Sequence, residues 1–245
     1  MFREEEINTV VHLAFKGDPE GYGSPSHQLN IAGTKNFLQH CLDCPSVTQF
    51  VYLSSASVYR LGPTSDVLIR EDDELNFDPN AHPIVKDAVG AELLCRTQMD
   101  SERCNIVVLR PSGVIGRNVN SELNHLFEST VCFVPMGYDP MVNPVHTLDV
   151  IRALKEAAFL DIRGIFNIAG PDAGPLSAFL GMVRGRAHKV PERLLGPMYR
   201  MARRMGLSHF KYELNPGRLR YGLVLDGSRA QRQLGWMPRH HVKFG

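Results

Sequence analysis

The stretch from Phe50 to Arg60, FVYLSSASVYR, constrains this chain more than any other. Phe50, Val51, Tyr52 and Leu53 are the alternating and β-branched apolar residues of a buried strand, and the sequence then switches at once to Ser54, Ser55 and Ser57. Hydroxyl residues at the carboxyl end of such a strand sit where the loops of an open α/β sheet fan apart into a ligand crevice. Serine-rich turns also follow strands for turn chemistry alone, because their hydroxyls bond the local backbone. The stretch therefore nominates a crevice without naming a reaction.

The flanking segments supply the rest of a sheet. Thr9 to Ala14 (TVVHLA) reads as a short strand, Gln28 to Leu42 as a helix, and Val47 to Leu53 as the next strand, which is one crossover unit of a parallel sheet. An acidic, proline-containing excursion from Gly62 to Pro83 reads as solvated surface. Beyond it the pattern predicts a helix over Ile84 to Asp100, a strand over Asn105 to Arg110 and short helices over Leu123 to Thr130 and Ile151 to Leu160. A further strand covers Gly164 to Ala169, and from Pro175 on the chain reads as helical and basic.

Charge and cysteine content narrow the function classes. A formal net charge of +1 over 245 residues offers no bulk electrostatic pull on nucleic acid or acidic partners. No apolar run is long enough to span a bilayer, and the acidic opening lacks a secretory pattern, so a cytoplasmic location is expected. Five scattered cysteines argue against a disulfide framework. The Cys41-Leu42-Asp43-Cys44 spacing has no second CxxC or paired histidines, which favours incidental thiols over a metal or redox site.

Several strings then fall in an order that resembles the extended short-chain dehydrogenase/reductases, the NAD-dependent epimerase/dehydratase family. They are Val11-His12-Leu13-Ala14, Asn30 with Gly33-Thr34, Leu53-Ser54-Ser55-Ala56-Ser57-Val58-Tyr59, and Leu109-Arg110-Pro111 with Val114-Ile115-Gly116. Val145-His146-Thr147-Leu148-Asp149, Phe166-Asn167-Ile168-Ala169-Gly170 and Asp226 to Pro238 complete the set. The resemblance implies a Rossmann-like, mostly parallel α/β sheet over residues 1–170 and a small, mostly helical substrate lobe over 171–245, interleaved with it. It implies that Leu13, Ala14, Phe15 and Leu53 line an NAD or NADP cofactor, that Asn30 braces the central strands, and that Pro111 and Ser112 lie by the nicotinamide. Ser55 matches the catalytic Ser/Thr that bonds the reacting sugar oxygen, and Ser57, Tyr59 and His146 fall on the substrate side.

Two departures qualify that picture. The family opens with a strand, a GxxGxxG turn and a helix whose N-terminus holds the pyrophosphate, and no such glycine triplet stands here. The chain is therefore expected to begin near the family's fourth strand, with Thr9 to Ala14 as an apolar sheet edge and Met1 as an internal start in a longer reading frame. The second departure is the YxxxK pair, in which the tyrosine moves the proton and the lysine lowers its pKa. By spacing, His82 and Lys86 are the local candidates, and a histidine with an ordinary pKa near 6.5 could act as acid or base at neutral pH. Anchoring instead on Glu92-Leu93-Leu94 shifts the register by two and puts Ile84 and Ala88 at those positions.

The expected chemistry is hydride transfer between NAD(P) and a hydroxyl-bearing carbon of a nucleotide sugar or similar small molecule, in a truncated form of such an enzyme. The alternative is a non-catalytic member that binds dinucleotide or a partner. Neither nucleic acid nor membrane is expected as a partner, and a homodimer is compatible with either reading. His146 and Asp149 read chiefly as capping and orienting groups of the next helix. The arginines from Arg184 to Arg204 read as the solvated side of a lobe helix, with an interfacial membrane helix as the competing account.

Overall fold

The computed structural model describes residues 7–17, 22–183 and 186–242, so the acidic opening from Met1 to Glu6 and Arg184 lie outside the described residues. Four strands, Thr9–His12, Gln49–Leu53, Asn105–Pro111 and Gly164–Ile168, lie side by side in that order, and every pairing is parallel. The period-two alternation of side chains divides each strand between two helical layers. Phe50, Tyr52, Ile106 and Val108 face the helices Thr34–Leu42 and Pro83–Arg96, packing with Leu38, Cys41, Ala91 and Cys95. Val51, Val107, Leu109, Phe166 and Ile168 face the helix Thr147–Phe159 and the closing segment at Ala230, Leu234 and Trp236. The chain is thus an α/β protein with a mostly parallel, Rossmann-like sheet.

The strand edge read from the sequence is present: Thr9–His12 pairs only with Gln49–Leu53 among the described residues, with Val11 40% and Leu13 56% exposed. The first helical stretch starts earlier than its apolar period suggests, at Ser24, and contains a π-helical segment over Gln28–Gly33. Such a widened turn re-aims side chains. It carries Asn30, which is fully buried, accepts from the Lys16 backbone N–H at 2.8 Å and donates to the Lys16 carbonyl at 3.1 Å. Asn30 therefore ties down the loop after the first strand, where the resemblance had it bracing the central strands.

The second part of the chain differs most from its sequence pattern. Arg186–Val190 is a strand that pairs in parallel with Val131–Pro135, where the sequence reads as helical and basic. Four of its five residues are exposed, so no apolar alternation announces it, and its partner lies 55 positions away in the register Arg186 to Val131. These strands, the helices Glu122–Phe127 and Glu192–Arg204, and Phe179, Leu180 and Phe210 form a separate apolar core for the lobe. The acidic excursion also contributes to the interior: Leu68–Ile69 pairs with Val224–Leu225, and Glu71 is buried, accepting from the Asn167 backbone at 2.9 Å. The five cysteines are buried free thiols, and no group that could hold a metal ion occurs among the described residues. No described helix is long and apolar enough to cross a membrane.

Candidate active site

A cavity of about 520 Å³ opens at the carboxyl ends of the sheet strands, between the sheet and the lobe. Its sheet wall is made by Leu13, Phe15, Tyr52, Leu53, Ser54, Ser55, Ser57 and the Pro111-Ser112-Gly113 turn. Gly113 is required there, because a Cβ would overlap the Leu123 side chain that closes the turn. The lobe wall brings Glu122, His125, Lys211, Leu214 and Arg218 to the same space.

Ser54 and Ser55 do different work although they are adjacent. Ser54 donates to Glu92 Oε2 at 2.6 Å, and Glu92 is fully buried against Arg110, whose Nε lies 3.0 Å from the same oxygen. Burial opposes the Arg110 charge, but hydrogen bonds to Glu92 and the Glu92 charge outweigh it and raise the guanidinium pKa. Arg110 also donates to the Glu71 carbonyl at 2.8 Å and to the Tyr59 hydroxyl at 2.7 Å, and that hydroxyl donates to Asn167 Oδ1 at 2.6 Å. Burial pushes the Tyr59 hydroxyl up to about 12, so it stays neutral within this network. Tyr59 is thus an interior residue, and the structure places it away from the substrate side where the resemblance had it.

Ser55 is instead the extended N-cap of the short turn Ala56–Val58. Its Oγ accepts from the Ser57 N–H at 3.2 Å and from the Ser57 hydroxyl at 3.1 Å. The Ser55 proton has no acceptor among the described residues, so this hydroxyl is a donor held ready at the cavity wall. Ser112, by contrast, uses its hydroxyl on the Asn143 carbonyl at 2.6 Å and contributes backbone and bulk to the cavity.

The two register readings of the helix Pro83–Arg96 separate cleanly. Ile84 and Ala88, one helical turn apart, line the cavity. His82 caps the helix by accepting from the Ile84 N–H at 3.3 Å, and Lys86 donates to the Pro79 carbonyl. Neither is among the cavity-lining residues. Burial lowers the His82 pKa, against an opposing pull from Glu122 and Glu213, which leaves it neutral at physiological pH.

Other expected site residues divide the same way. Leu13, Phe15, Leu53, Pro111, Ser112, Ser55 and Ser57 line the cavity, and Ala14, Asn30, Tyr59 and His146 do not. His146 caps the helix Thr147–Phe159 through Leu148 N–H at 3.2 Å and stacks on His240, with ring centroids 5.0 Å apart. Asp149 accepts from the backbone N–H groups of Arg239 and His240 at 3.0 and 2.9 Å, anchoring the closing segment. The lobe residues are not legible in the sequence. Arg218 is buried, lies 3.0 Å from Glu122 and has an Nε with no partner among the described residues.

Residues 1–155, more than half of the chain, match the NAD dependent epimerase/dehydratase family. The chain belongs to that family. An uncharacterized protein of Mycobacterium tuberculosis is 28% identical over 98% of this chain, and the chain spans 64% of that relative's length. An uncharacterized protein of Sinorhizobium fredii is 25% identical over 86% of the chain and 54% of its own length. Among solved structures, MoeE5 in complex with UDP-glucuronic acid and NAD superposes with a TM-score of 0.69 at 21% identity, over 96% of this chain and 75% of that one. The UDP-glucuronic acid 4-epimerase of Bacillus cereus superposes at 0.68 with 19% identity, over 97% and 72%. At those identities the structural likeness establishes the fold.

Proposed function

We infer that the cavity binds NAD along its sheet wall and a hydroxylated ligand of nucleotide-sugar type against Ser55, and that this chain acts as a ligand-binding member of its family. The observation that carries the reading is the pairing of a free Ser55 donor with Ile84 and Ala88 on one cavity wall. A donor for a sugar oxygen is present, while the helix that would deliver a tyrosine and a lysine delivers two apolar side chains. The ligand classes are supported by MoeE5, a superposing protein solved with NAD and either UDP-glucuronic acid or UDP-glucose.

The described residues fit the nicotinamide end of the cofactor. Leu13, Phe15 and the Pro111–Gly113 turn supply an apolar, partly backbone surface, and the cavity volume falls within the range of small-molecule pockets. They include no GxxGxxG turn to hold a pyrophosphate on a helix N-terminus. NAD, when bound, supplies a hydride-accepting ring; Ser55 orients the ligand oxygen and Ile84 and Ala88 exclude water from it.

A second reading retains hydride-transfer chemistry, as an NAD-dependent epimerase, dehydratase or reductase. It is favoured by His125, an imidazole on the wall of the same cavity. Calorimetric titration with UDP-glucuronic acid and UDP-glucose, with and without NAD, tests binding. Turnover is tested by chromatographic and mass analysis of the sugar nucleotide for epimerised or dehydrated product, together with absorbance at the reduced nicotinamide band for net oxidation or reduction. Binding without turnover supports the ligand-binding reading. Turnover that disappears in His125→Ala transfers support to the second, and no binding of either sugar nucleotide sinks both.

A further inference from the structure

The helix Glu192–Arg204 is pinned to the lobe on one side and bare on the other. Leu195, Tyr199 and Ala202 are buried in the lobe core, and Met198 packs partly against it. The Tyr199 hydroxyl donates to the Phe133 carbonyl at 2.7 Å and accepts from the Phe133 N–H at 3.0 Å, so the helix cannot roll its outer face inward. That outer face carries Leu194, Met201 and Met205, exposed by 48%, 56% and 64%. The spacing of seven and then four residues stacks them in one row along the axis. Arg193, Arg200 and Arg204 each precede one of them, forming a parallel cationic row about 100° around the helix.

Most of the charge on this face is unspent. Arg193 and Arg204 have no ion-pair partner among the described residues, and Arg200 stands only at the edge of Glu213, 3.7 Å away, which Arg203 holds with both nitrogens at 3.1 Å. Glu192, the one acid of the helix, is committed to Arg220 at 2.9 Å. A chain of nearly balanced charge therefore concentrates three exposed arginines on one short helix beside an uncovered apolar row.

We propose that this face is an interfacial contact for an anionic lipid surface. Lipid headgroup phosphates meet the arginine row while the methionines and Leu194 enter the acyl boundary, the two chemistries an in-plane amphipathic helix needs. An acidic peptide would answer the arginines and leave the apolar row wet. Single-stranded nucleic acid would call for outward aromatic rings to stack its bases, and the helix's tyrosine is buried. A duplex would meet the arginines through its phosphates and, like the peptide, leave the apolar row wet. Flexible methionines suit a fluid partner with no fixed relief.

Cosedimentation of the chain with vesicles of phosphatidylcholine alone, and of phosphatidylcholine with about a third phosphatidylglycerol, tests the contact at low and high salt. Binding is expected only to the anionic vesicles, falling as salt rises. Arg193→Gln with Arg204→Gln is expected to weaken it about 30-fold, from about 1 kcal/mol per arginine near such a surface. Met201→Ser with Met205→Ser is expected to weaken it about tenfold, and Phe159→Ser, at an exposed site elsewhere, to leave it unchanged. All three variants alter exposed side chains, and circular dichroism checks that they are folded. No binding to anionic vesicles overturns the proposal, as does full affinity in the methionine variant or tighter binding to single-stranded RNA or polyglutamate than to vesicles.

Discussion

The two walls of the cavity are built on different principles. On the sheet side, the position of Ser54 is set by a buried chain of groups, Glu92, Arg110, Tyr59 and Asn167, each hydrogen-bonded to the next. On the lobe side, Arg218 is buried beside a partly exposed Glu122 and keeps an unpartnered Nε. A network removed from water gains geometric rigidity but tolerates no missing member, because the remaining charge has no solvent to fall back on. A buried guanidinium paired to one carboxylate and unpartnered at its Nε keeps bonding capacity for a ligand. The sheet wall therefore presents a fixed donor in Ser55, and the lobe wall presents a buried cation with a donor to spare.

That contrast is open to direct attack. The largest effect is expected from Glu92→Ala, which strands Arg110 as a buried unpaired charge. Denaturant unfolding should show a loss of about 3–5 kcal/mol, and a loss below about 1 kcal/mol would mean the sheet wall is no more rigid than the lobe wall. On the other wall, Arg218→Gln should cost stability only about 1 kcal/mol while weakening sugar-nucleotide binding about 30-fold by calorimetry. A large stability loss there would erase the distinction. Ser55→Ala removes one neutral donor and leaves the Glu92 network intact, so ligand affinity should fall about tenfold with unfolding unchanged within about 0.5 kcal/mol.

The smallest effect concerns pH. Burial alone would raise the Asp149 carboxyl, but the hydrogen bonds from His240 and Arg239 and the nearby His240 side chain lower it below its ordinary value. A carboxyl depressed in the folded state stabilises above its unfolded pKa, about 3.9, and that contribution is lost as pH falls through the folded value. Wild type should therefore lose stability on acidification more steeply than Asp149→Asn, compared by urea unfolding between about pH 3 and pH 6. Parallel pH profiles for the two proteins would show that the Asp149 anchor of the closing segment carries no charge-dependent stability.

Much of the sheet wall is legible in the order of amino acids alone. Strands buried on both faces announce themselves as short apolar runs, and Ser55, Leu53 and Pro111 can be placed because each sits at the end of one. The strand Arg186–Val190 is not legible, since its exposed charged residues carry no period and its existence depends on Val131–Pro135. The choice between His82 with Lys86 and Ile84 with Ala88 is equally open in the sequence. Both pairs have the required spacing of four, and only the rotation of the helix against the sheet decides which pair faces the cavity.

What the sequence determined by itself was local and periodic: the order of strands and helices, the family, and a hydroxyl at a strand end. The tertiary structure alone decided which polar groups are spent and which are available. Ser54 and Ser55 are chemically identical neighbours, yet Glu92 takes the proton of one and no described residue takes the proton of the other. Partners such as Arg218, more than 150 residues from Ser55 along the chain, reach the same cavity only by folding. Hydrogen-bond satisfaction is a property of position in space, so the stretch from Phe50 to Arg60 could point to the crevice but not to the company its serines keep there.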